Sequence, residues 1–515
     1  MIDGRTVTEV LDHVLLDDPA RLALVGPSAS LSYEGLDQAA DAAAAAFSGL
    51  GVCPGDRIAV CLPNDIDIVV AFHGAMRLGA IWVGVNRALS HSEKQMILRA
   101  SSPRLFVADP QTASEHTADL AVVAADPNDP EEGWIGAVTA AMGARRLPPP
   151  DWDRPAGIAF TSGTTGIPKG IVHSQRNLLL PAAALVRSRR YDHTLRKGDC
   201  LPLTIINLQT MTTLVSSLAG GSCVLTESRY AASIAEWIGC QSVTVWGAVP
   251  ALLYSMVYDP DIEPSMLSSL REVWAGGAPC PQHLSEAFTG RFKVPVYRCY
   301  GLTEAPAVVS MQPIDRVRVS ESSGIALPHV SVRVRLDDGS SAPAGTEGEL
   351  AVGGADDGPY AKAYTPMLGY WQDNRLDPFR GAEFLTGDIG VVDEAGNVFV
   401  RDRKKVLIIR GGANISPGEV ERVLEQAPGV RVAAVLGVPD PRLGQRVVAA
   451  LEIDPRSWKG TEATINFCRT YLAGYKVPEE LAIVDHLPLN AIGKVQIASL
   501  VALFSASEQS GQESS

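Results

Sequence analysis

Residues 161–170 read TSGTTGIPKG, so Thr161, Ser162, Gly163, Thr164, Thr165 and Gly166 lead directly to a single cation, Lys169. Hydroxyls and Cβ-free residues let the backbone N–H groups of such a run wrap a polyphosphate while the lysine neutralises it. The spacing is not that of the Walker loop, in which Lys follows Gly and precedes Ser or Thr; here Lys169 follows Pro168 and precedes Gly170. Taken alone, the run also describes a Gly/Thr surface turn.

Four further short segments carry chemistry-bearing residues. In YGLTE at 300–304, Tyr300 offers a ring face for a purine, Thr303 a hydroxyl for a phosphate and Glu304 a hard oxygen ligand for Mg²⁺. GGAP at 276–279 (Gly276, Gly277, Ala278) lets backbone approach a flat ligand. In TGD at 386–388, Asp388 can accept from two ribose hydroxyls, and IGK at 492–494 sets Lys494 on a Gly-containing loop. Singly, each of these is also an ordinary turn or strand end.

The elements that must position them follow an α/β rhythm. Helical patterns at 34–50 and 66–78 alternate with strand patterns at 57–62 and 80–85, which predicts parallel sheet covered by helices. Residues 110–150 read as irregular, a second alternating block runs from 157 to about 318, and 332–352 reads as antiparallel strand. Beyond Arg403, strand patterns at 432–438, 447–453 and 481–484 with a helix at 462–473 predict a compact α+β unit, followed by a disordered Ser-rich tail at 506–515. The expected division is thus 1–402 and 403–505. At 515 residues two or more domains are expected, and 46% hydrophobic with 20% charged residues is the make-up of an ordinary globular chain.

The net charge of −14 argues against nucleic acid or an anionic membrane as partner, and no apolar run is long enough to span one. Thirteen Lys/Arg against twelve Asp/Glu from Arg403 onward leave that segment near +1 and the rest near −15. An acidic body with a near-neutral, Arg/Lys-bearing appendage suggests that the appendage carries cations to an anionic ligand held by the body. Eight cysteines without a C-x-x-C pair, and no secretory start, read as reduced thiols of a cytoplasmic protein.

Together TSGTTGIPKG, GGAP, YGLTE, GELAVGG (348–354), TGD, DRKKVLIIRGGANISPGEVE (402–421), GVPDPRLGQ (437–445) and IGK resemble the adenylate-forming superfamily of acyl-CoA synthetases, adenylation domains and luciferases. The resemblance covers nearly the whole chain. It implies a large N-terminal domain of stacked βαβ-type subdomains with a β-rich portion, and a small mobile α+β lid. The implied activity is attack of a carboxylate on the α-phosphorus of MgATP, followed by displacement of AMP by a thiol.

By resemblance, Thr161–Gly166 and Lys169 hold the β- and γ-phosphates, Glu304 ligates Mg²⁺, and Thr303 touches a phosphate. Tyr300, Gly301 and Gly276–Ala278 belong to the nucleotide site, Asp388 and Arg403 hold the ribose, and Lys494 bridges carboxylate and α-phosphate. Lys405 falls at the family's hinge, and Gly411 and Gly412 border a pantetheine tunnel. The loop LPLTIINLQTMTT (201–213) contains no acid to pair with an α-ammonium, which disfavours amino acids. Ile205 stands where His or an aromatic is common, and Gly301 where small-acid specialists carry Trp. The expected substrate is therefore an apolar acid larger than acetate, against Ile205, Ile206, Trp246, Cys299 and Met311. Free coenzyme A is the expected acceptor, with the phosphopantetheine of a carrier protein as the alternative; the resemblance also allows a homodimer.

Overall fold

The computed structural model describes residues 6–115, 120–161, 169–404, 408–410, 413–440, 442–489 and 495–512. Two compact units emerge. Met1–Val332 with Val352–Phe384 form the first, and Arg333–Ala351 with Leu385–Ser515 the second. The division thus falls at 384/385 and carries 333–351 with the C-terminal residues, where the sequence suggested a single cut after 402.

The first unit is built on two sheets. An eight-stranded sheet runs Arg375–Pro378, Gly369–Gln372, Lys169–Ser174 (β3), Pro155–Thr161 (β2), Ile81–Gly84 (β1), Arg57–Cys61, Leu105–Ala108 and Val122–Ala124. It is parallel from β2 onward and antiparallel on the β3 side. A nine-stranded sheet runs Ile325–Ala326, Ser310–Met311 (β8), Val296–Tyr300 (β7), Glu272–Ala275 (β6), Val245–Ala248 (β5), Arg196–Asp199 (β4), Ser222–Leu225, Leu22–Val25 and Ser30–Ser32. Its middle strands are parallel, joined by helical crossovers, and both edges are antiparallel.

Local chemistry explains the crossovers. Ser32 Oγ accepts from Gly35 N at 3.0 Å and starts the helix Tyr33–Gly49. Asp65 caps Ile66–Leu78, and Gly79 at φ 74° ends it. These two helices approach closely because a Cβ at Gly74 would lie 2.5 Å from Ala43 Cβ. Ser174 caps Gln175–Arg189 (α1), and Gln282–Phe292 (α2) covers β6 and β7. The stretch 110–150, expected to be irregular, holds helices Pro110–Ser114 and Gly133–Ala140 and the edge strand Val122–Ala124. Asp109 caps the first of these helices with Pro110 at its first position, and the second inserts Trp134, fully buried, against Phe47.

The second unit carries most of a four-stranded sheet in the order Val330–Arg335, Glu347–Gly354, Glu383–Val392 (β9), Val398–Arg403 (β10). Its five-stranded sheet centres on Val430–Asp440 (β11) and Gly444–Ile453 (β12), paired antiparallel; on the edge of β12 away from β11, Glu480–Ile483 pairs parallel with 448–451 and Ile408–Arg410, itself antiparallel to Ala413–Ile415, pairs at Gly444. Helix Pro417–Leu424 (α3) packs Val420 and Leu424 on that sheet with Val435, Ala449 and Leu451. The last helix, Ile497–Gln512, runs through most of the tail expected to be disordered; Leu500 and Phe504 anchor its start among Leu436, Val448 and Leu487. Among the described residues no helix is long and apolar enough to cross a membrane.

Candidate active site

In the first unit the two described residues of the phosphate-loop run that flank its undescribed part, Thr161 and Lys169, are paired strand ends. Thr161 closes β2 and faces Lys169, the first residue of β3, in antiparallel register. Ser162, Gly163, Thr164, Thr165 and Gly166 lie outside the described residues. Lys169 Nζ stands 5.0 Å above the ring of Tyr370, which pairs with Ile171 of β3 from the neighbouring strand. Burial raises the Tyr370 hydroxyl's pKa, and the negative charge of Glu304 raises it further. Lys169, Tyr370 and Glu304 therefore share one electrostatic neighbourhood. Tyr370 was not singled out from the sequence; its only signal is an aromatic in GYW at 369–371.

The YGLTE segment leaves the end of β7 and is tied down from two sides. His173 Nε2 donates to Thr303 O at 2.8 Å, and Asn207 Nδ2 donates to Leu302 O at 3.4 Å. Burial drives the His173 pKa down to about 4, so the ring is neutral and a single Nε2–H serves the carbonyl. Beyond Glu304 the chain folds back: Ala307 adopts φ 70°, and its carbonyl oxygen would be 2.1 Å from a Cβ at Gly301. Glycine at 301 thus has a backbone reason of its own, since any side chain there meets that turn. Gly276 has a similar cause in Cys299, whose Sγ would lie 2.6 Å from an added Cβ and which contacts Ala275 O at 3.3 Å. Gly277, at φ 80°, takes the left-handed turn that carries the chain from β6 toward α2.

Four of the five residues expected at the acyl pocket join one cluster: Ile206 and Met311 within the core, Ile205 and Cys299 packed against it. Trp246 does not join them. It faces the other side of β5, fully buried with Ile234, Ile238, Leu253 and Phe288.

The loop bearing Ile205 and Ile206 is seated by residues that sequence reasoning passed over. A Cβ at Gly84 would be 1.7 Å from Thr204 O, so β1 admits the loop backbone only as glycine, and one at Gly157 of β2 would be 2.1 Å from Ile206 Cδ1, so a side chain there would displace that methyl. Asn64 holds it with Nδ2 donating to Leu201 O at 2.8 Å and Oδ1 accepting from Leu203 N at 2.9 Å. Asp199 holds both ends, accepting from Leu201 N at 2.9 Å and Thr212 Oγ1 at 2.8 Å. Lys197 Nζ, 3.3 Å from Asp199 and 5.0 Å above Trp274, neutralises that carboxylate; both side chains are buried.

In the second unit the TGD segment is a built turn. Gly387 is at φ 74°, its N–H donates to Glu349 Oε1 at 3.0 Å and its carbonyl accepts from Lys404 N at 2.7 Å. Thr386 Oγ1 donates to Leu350 O and accepts from Asp388 N. Asp388, 3% exposed, faces Arg403 across β9 and β10, and Arg403 Nε donates to Asp388 Oδ1 at 2.8 Å. The two residues expected at a ribose are thus brought together. Glu349, from the GELAVGG segment, is the anchor not recognised in advance. Lys405, Gly411, Gly412 and Lys494 lie outside the described residues; Leu489 and Val495 on either side of IGK form an antiparallel bridge.

Among the described residues no three His, Cys, Asp or Glu side chains converge as a metal cage. Glu304 alone fits a Mg²⁺ that draws its remaining ligands from phosphates and water, the usual manner of Mg²⁺ with nucleotides.

Comparison with known proteins matches this organisation. Residues 11–371 match the family described as AMP-binding enzyme, and 419–494 match its C-terminal domain. The chain is 31% identical to a long-chain-fatty-acid–CoA ligase, FadD13, of Mycobacterium tuberculosis, over 93% of this chain and 94% of that protein. It is also 31% identical to an indoleacetate–CoA ligase of Aromatoleum aromaticum, over 95% and 96%. The crystal structure of ATP-bound MatB from Rhodopseudomonas palustris superposes with a TM-score of 0.85 at 27% identity, covering 96% of this chain and 99% of that one. The chain belongs to the AMP-binding, adenylate-forming enzyme family.

Proposed function

We propose that this protein is an AMP-forming carboxylate–CoA ligase for an apolar acid. A carboxylate oxygen of the acid attacks the α-phosphorus of ATP, the bond to the β-bridging oxygen breaks, and pyrophosphate leaves. The sulfur of CoA then attacks the acyl carbon, AMP departs with the bond electrons, and the thiol proton passes to solvent. The reaction asks for positioning and charge neutralisation, not a protein nucleophile. Both curated relatives named above are CoA ligases, which supports free CoA as acceptor.

The observation that carries the reading is the Asp388–Arg403 pair: a buried carboxylate keyed to an arginine on a turn held by Glu349, the arrangement that two vicinal ribose hydroxyls require. Lys169 and the 161–166 run would hold the leaving pyrophosphate, Glu304 the Mg²⁺, and Tyr300 with 276–278 the adenine. Thr303, fixed through His173, would touch phosphate. Lys494 would bridge the two reacting groups in one lid orientation. After rotation about Lys405, Gly411 and Gly412 would line the thiol's path. The Ile205/Ile206 wall favours an apolar acid, and the nearest carboxylate to that loop, Asp199, is already matched by Lys197. Eight free cysteines support a reducing, cytoplasmic setting. The proposed enzyme takes part in carboxylic-acid or lipid metabolism, as a homodimer.

Turnover with and without CoA, across a panel of carboxylic acids, tests this. Sustained AMP release that requires free CoA and an apolar acid is expected. Release indifferent to CoA would transfer the role to a carrier-protein thiol, and absence of any acid-dependent release would remove the enzyme reading altogether.

A further inference from the structure

A cavity of about 380 Å³ in the first unit is lined by Gln282, Ser285, Glu286 and Thr289 of α2 together with Arg298 of β7 and Arg318. Side chains alternate along a strand. Arg298 therefore projects from the face of β7 opposite Tyr297 and Cys299, the face that also carries Val296 and, at the strand's end, Tyr300; none of the residues lining the cavity is one assigned to nucleotide or acid.

Arg298 is 7% exposed. Its guanidinium donates to Val319 O at 3.3 Å, and its backbone N–H to Gln312 Oε1 at 3.0 Å. No carboxylate among the described residues pairs with it; Glu286 and Glu321 act only at longer range, and Arg318 repels it. Burial pulls the pKa of this arginine down, the mark of a charge that its surroundings compensate incompletely. Arg318, exposed, lines the same cavity, donates to Val296 O at 3.0 Å and sets its guanidinium 5.5 Å from the centre of the Tyr297 ring. Glu286 is the one carboxylate in the lining, and Gln282 Nε2 donates to it at 2.6 Å.

Burying a guanidinium without a counter-charge is costly, and two of them converging on one cavity repel each other. A planar, five-donor fork is matched by a phosphoryl group, which accepts from two arginines at once. The cavity is larger than one phosphate needs, leaving room for a second phosphoryl group or a small organic body. We propose that it is a binding site for a small phosphoryl anion, separate from the ATP site and reached past Arg318. The inference holds whether or not the ligase reading is right.

The probe is inorganic pyrophosphate, titrated calorimetrically into the full chain with the nucleotide site filled by saturating α,β-methylene-ATP and Mg²⁺; orthophosphate and citrate are parallel arms. One saturable pyrophosphate site is expected, with orthophosphate weaker and citrate weaker still. Arg298→Gln and Arg318→Gln should each weaken binding at least tenfold, Glu286→Gln should tighten it several-fold, and Lys169→Ala should leave it unchanged. Arg318 is exposed, so its variant folds and decides the matter even if Arg298→Gln does not. No saturable binding, equal binding of citrate, indifference to Arg318→Gln, or loss on Lys169→Ala would each overturn the proposal.

Discussion

Replacing Asp199 by Asn isolates what seats the acyl loop. Asp199 and Lys197 are buried to within 1% on their side chains, so the amide leaves an ammonium with only Gly198 O at 3.0 Å and the Trp274 face for partners. Removing one partner of a buried pair costs about 3–5 kcal/mol. The amide can still accept from either Leu201 N or Thr212 Oγ1 through its single oxygen, so one of those bonds is lost as well, at about 1 kcal/mol. The double variant Lys197→Met/Asp199→Asn no longer buries an orphan charge and should recover at least half of the loss. Urea unfolding followed by Trp fluorescence, with Trp274 as the nearby reporter, measures the cycle. A coupling of about 2 kcal/mol or more is expected. In the folded variant the KM for the acid should rise more than the KM for ATP, because the proposed acid wall, Ile205 and Ile206, lies in this loop, whereas its hold on the YGLTE segment is the bond from Asn207 to Leu302 O. A single-variant loss below about 1 kcal/mol, or strict additivity, would mean that the pair is hydrated and the loop is seated by something else.

Gly157→Ala should reproduce the acid-specific effect by another route, since its Cβ would fall 2.1 Å from Ile206 Cδ1 and must push the wall inward; unchanged KM across an acid panel would refute that. His173→Ala removes the tether on Thr303 and, the ring being fully buried, should lower the unfolding midpoint; in the folded variant kcat should still fall at least tenfold, which stopped-flow adenylation below that midpoint can check. The pH dependence of stability should differ in sign between the units. His73, His173 and His329, held neutral by burial at about 3, 4 and 3, would protonate near 6.5 once unfolded. The first unit should therefore lose roughly 2 kcal/mol per histidine between pH 6.5 and 5. Glu421 and Glu425 run the other way: burial lifts them to about 7 and about 8, so their contribution to the second unit is present below about pH 4.5 and is lost as pH rises through those values. Hydrogen exchange resolved by unit from pH 5 to 8 would show the opposite slopes, and parallel slopes would refute them.

Much of the architecture was legible because its signals are local. A helix predicted at 66–78 forms as Ile66–Leu78 between the Asp65 cap and Gly79, and the strand patterns at 57–62 and 447–453 appear as Arg57–Cys61 and Gly444–Ile453. Asp388 and Arg403 could be named in advance and are joined in the fold, because motif order carries that information. What was missed arises from pairs far apart in sequence. Tyr370 meets Lys169, His173 meets Thr303, and Gly84 meets Thr204, contacts across sheets and loops that no periodicity encodes. Trp246 was drawn toward the acyl pocket by residue type, yet strand alternation turns it to the opposite core. The helices within 110–150 escaped notice because each is short and depends on a cap or on one buried tryptophan.

The proposed function requires that this chain form an acyl-adenylate from a carboxylic acid and MgATP. Carboxylate-dependent exchange of labelled pyrophosphate into ATP, run without CoA, tests it most directly. Rapid exchange that needs both an apolar acid and Mg²⁺, and that Lys494→Ala abolishes while ATP binding persists, is predicted. Exchange absent with every acid, or undiminished in Lys494→Ala, would contradict the account.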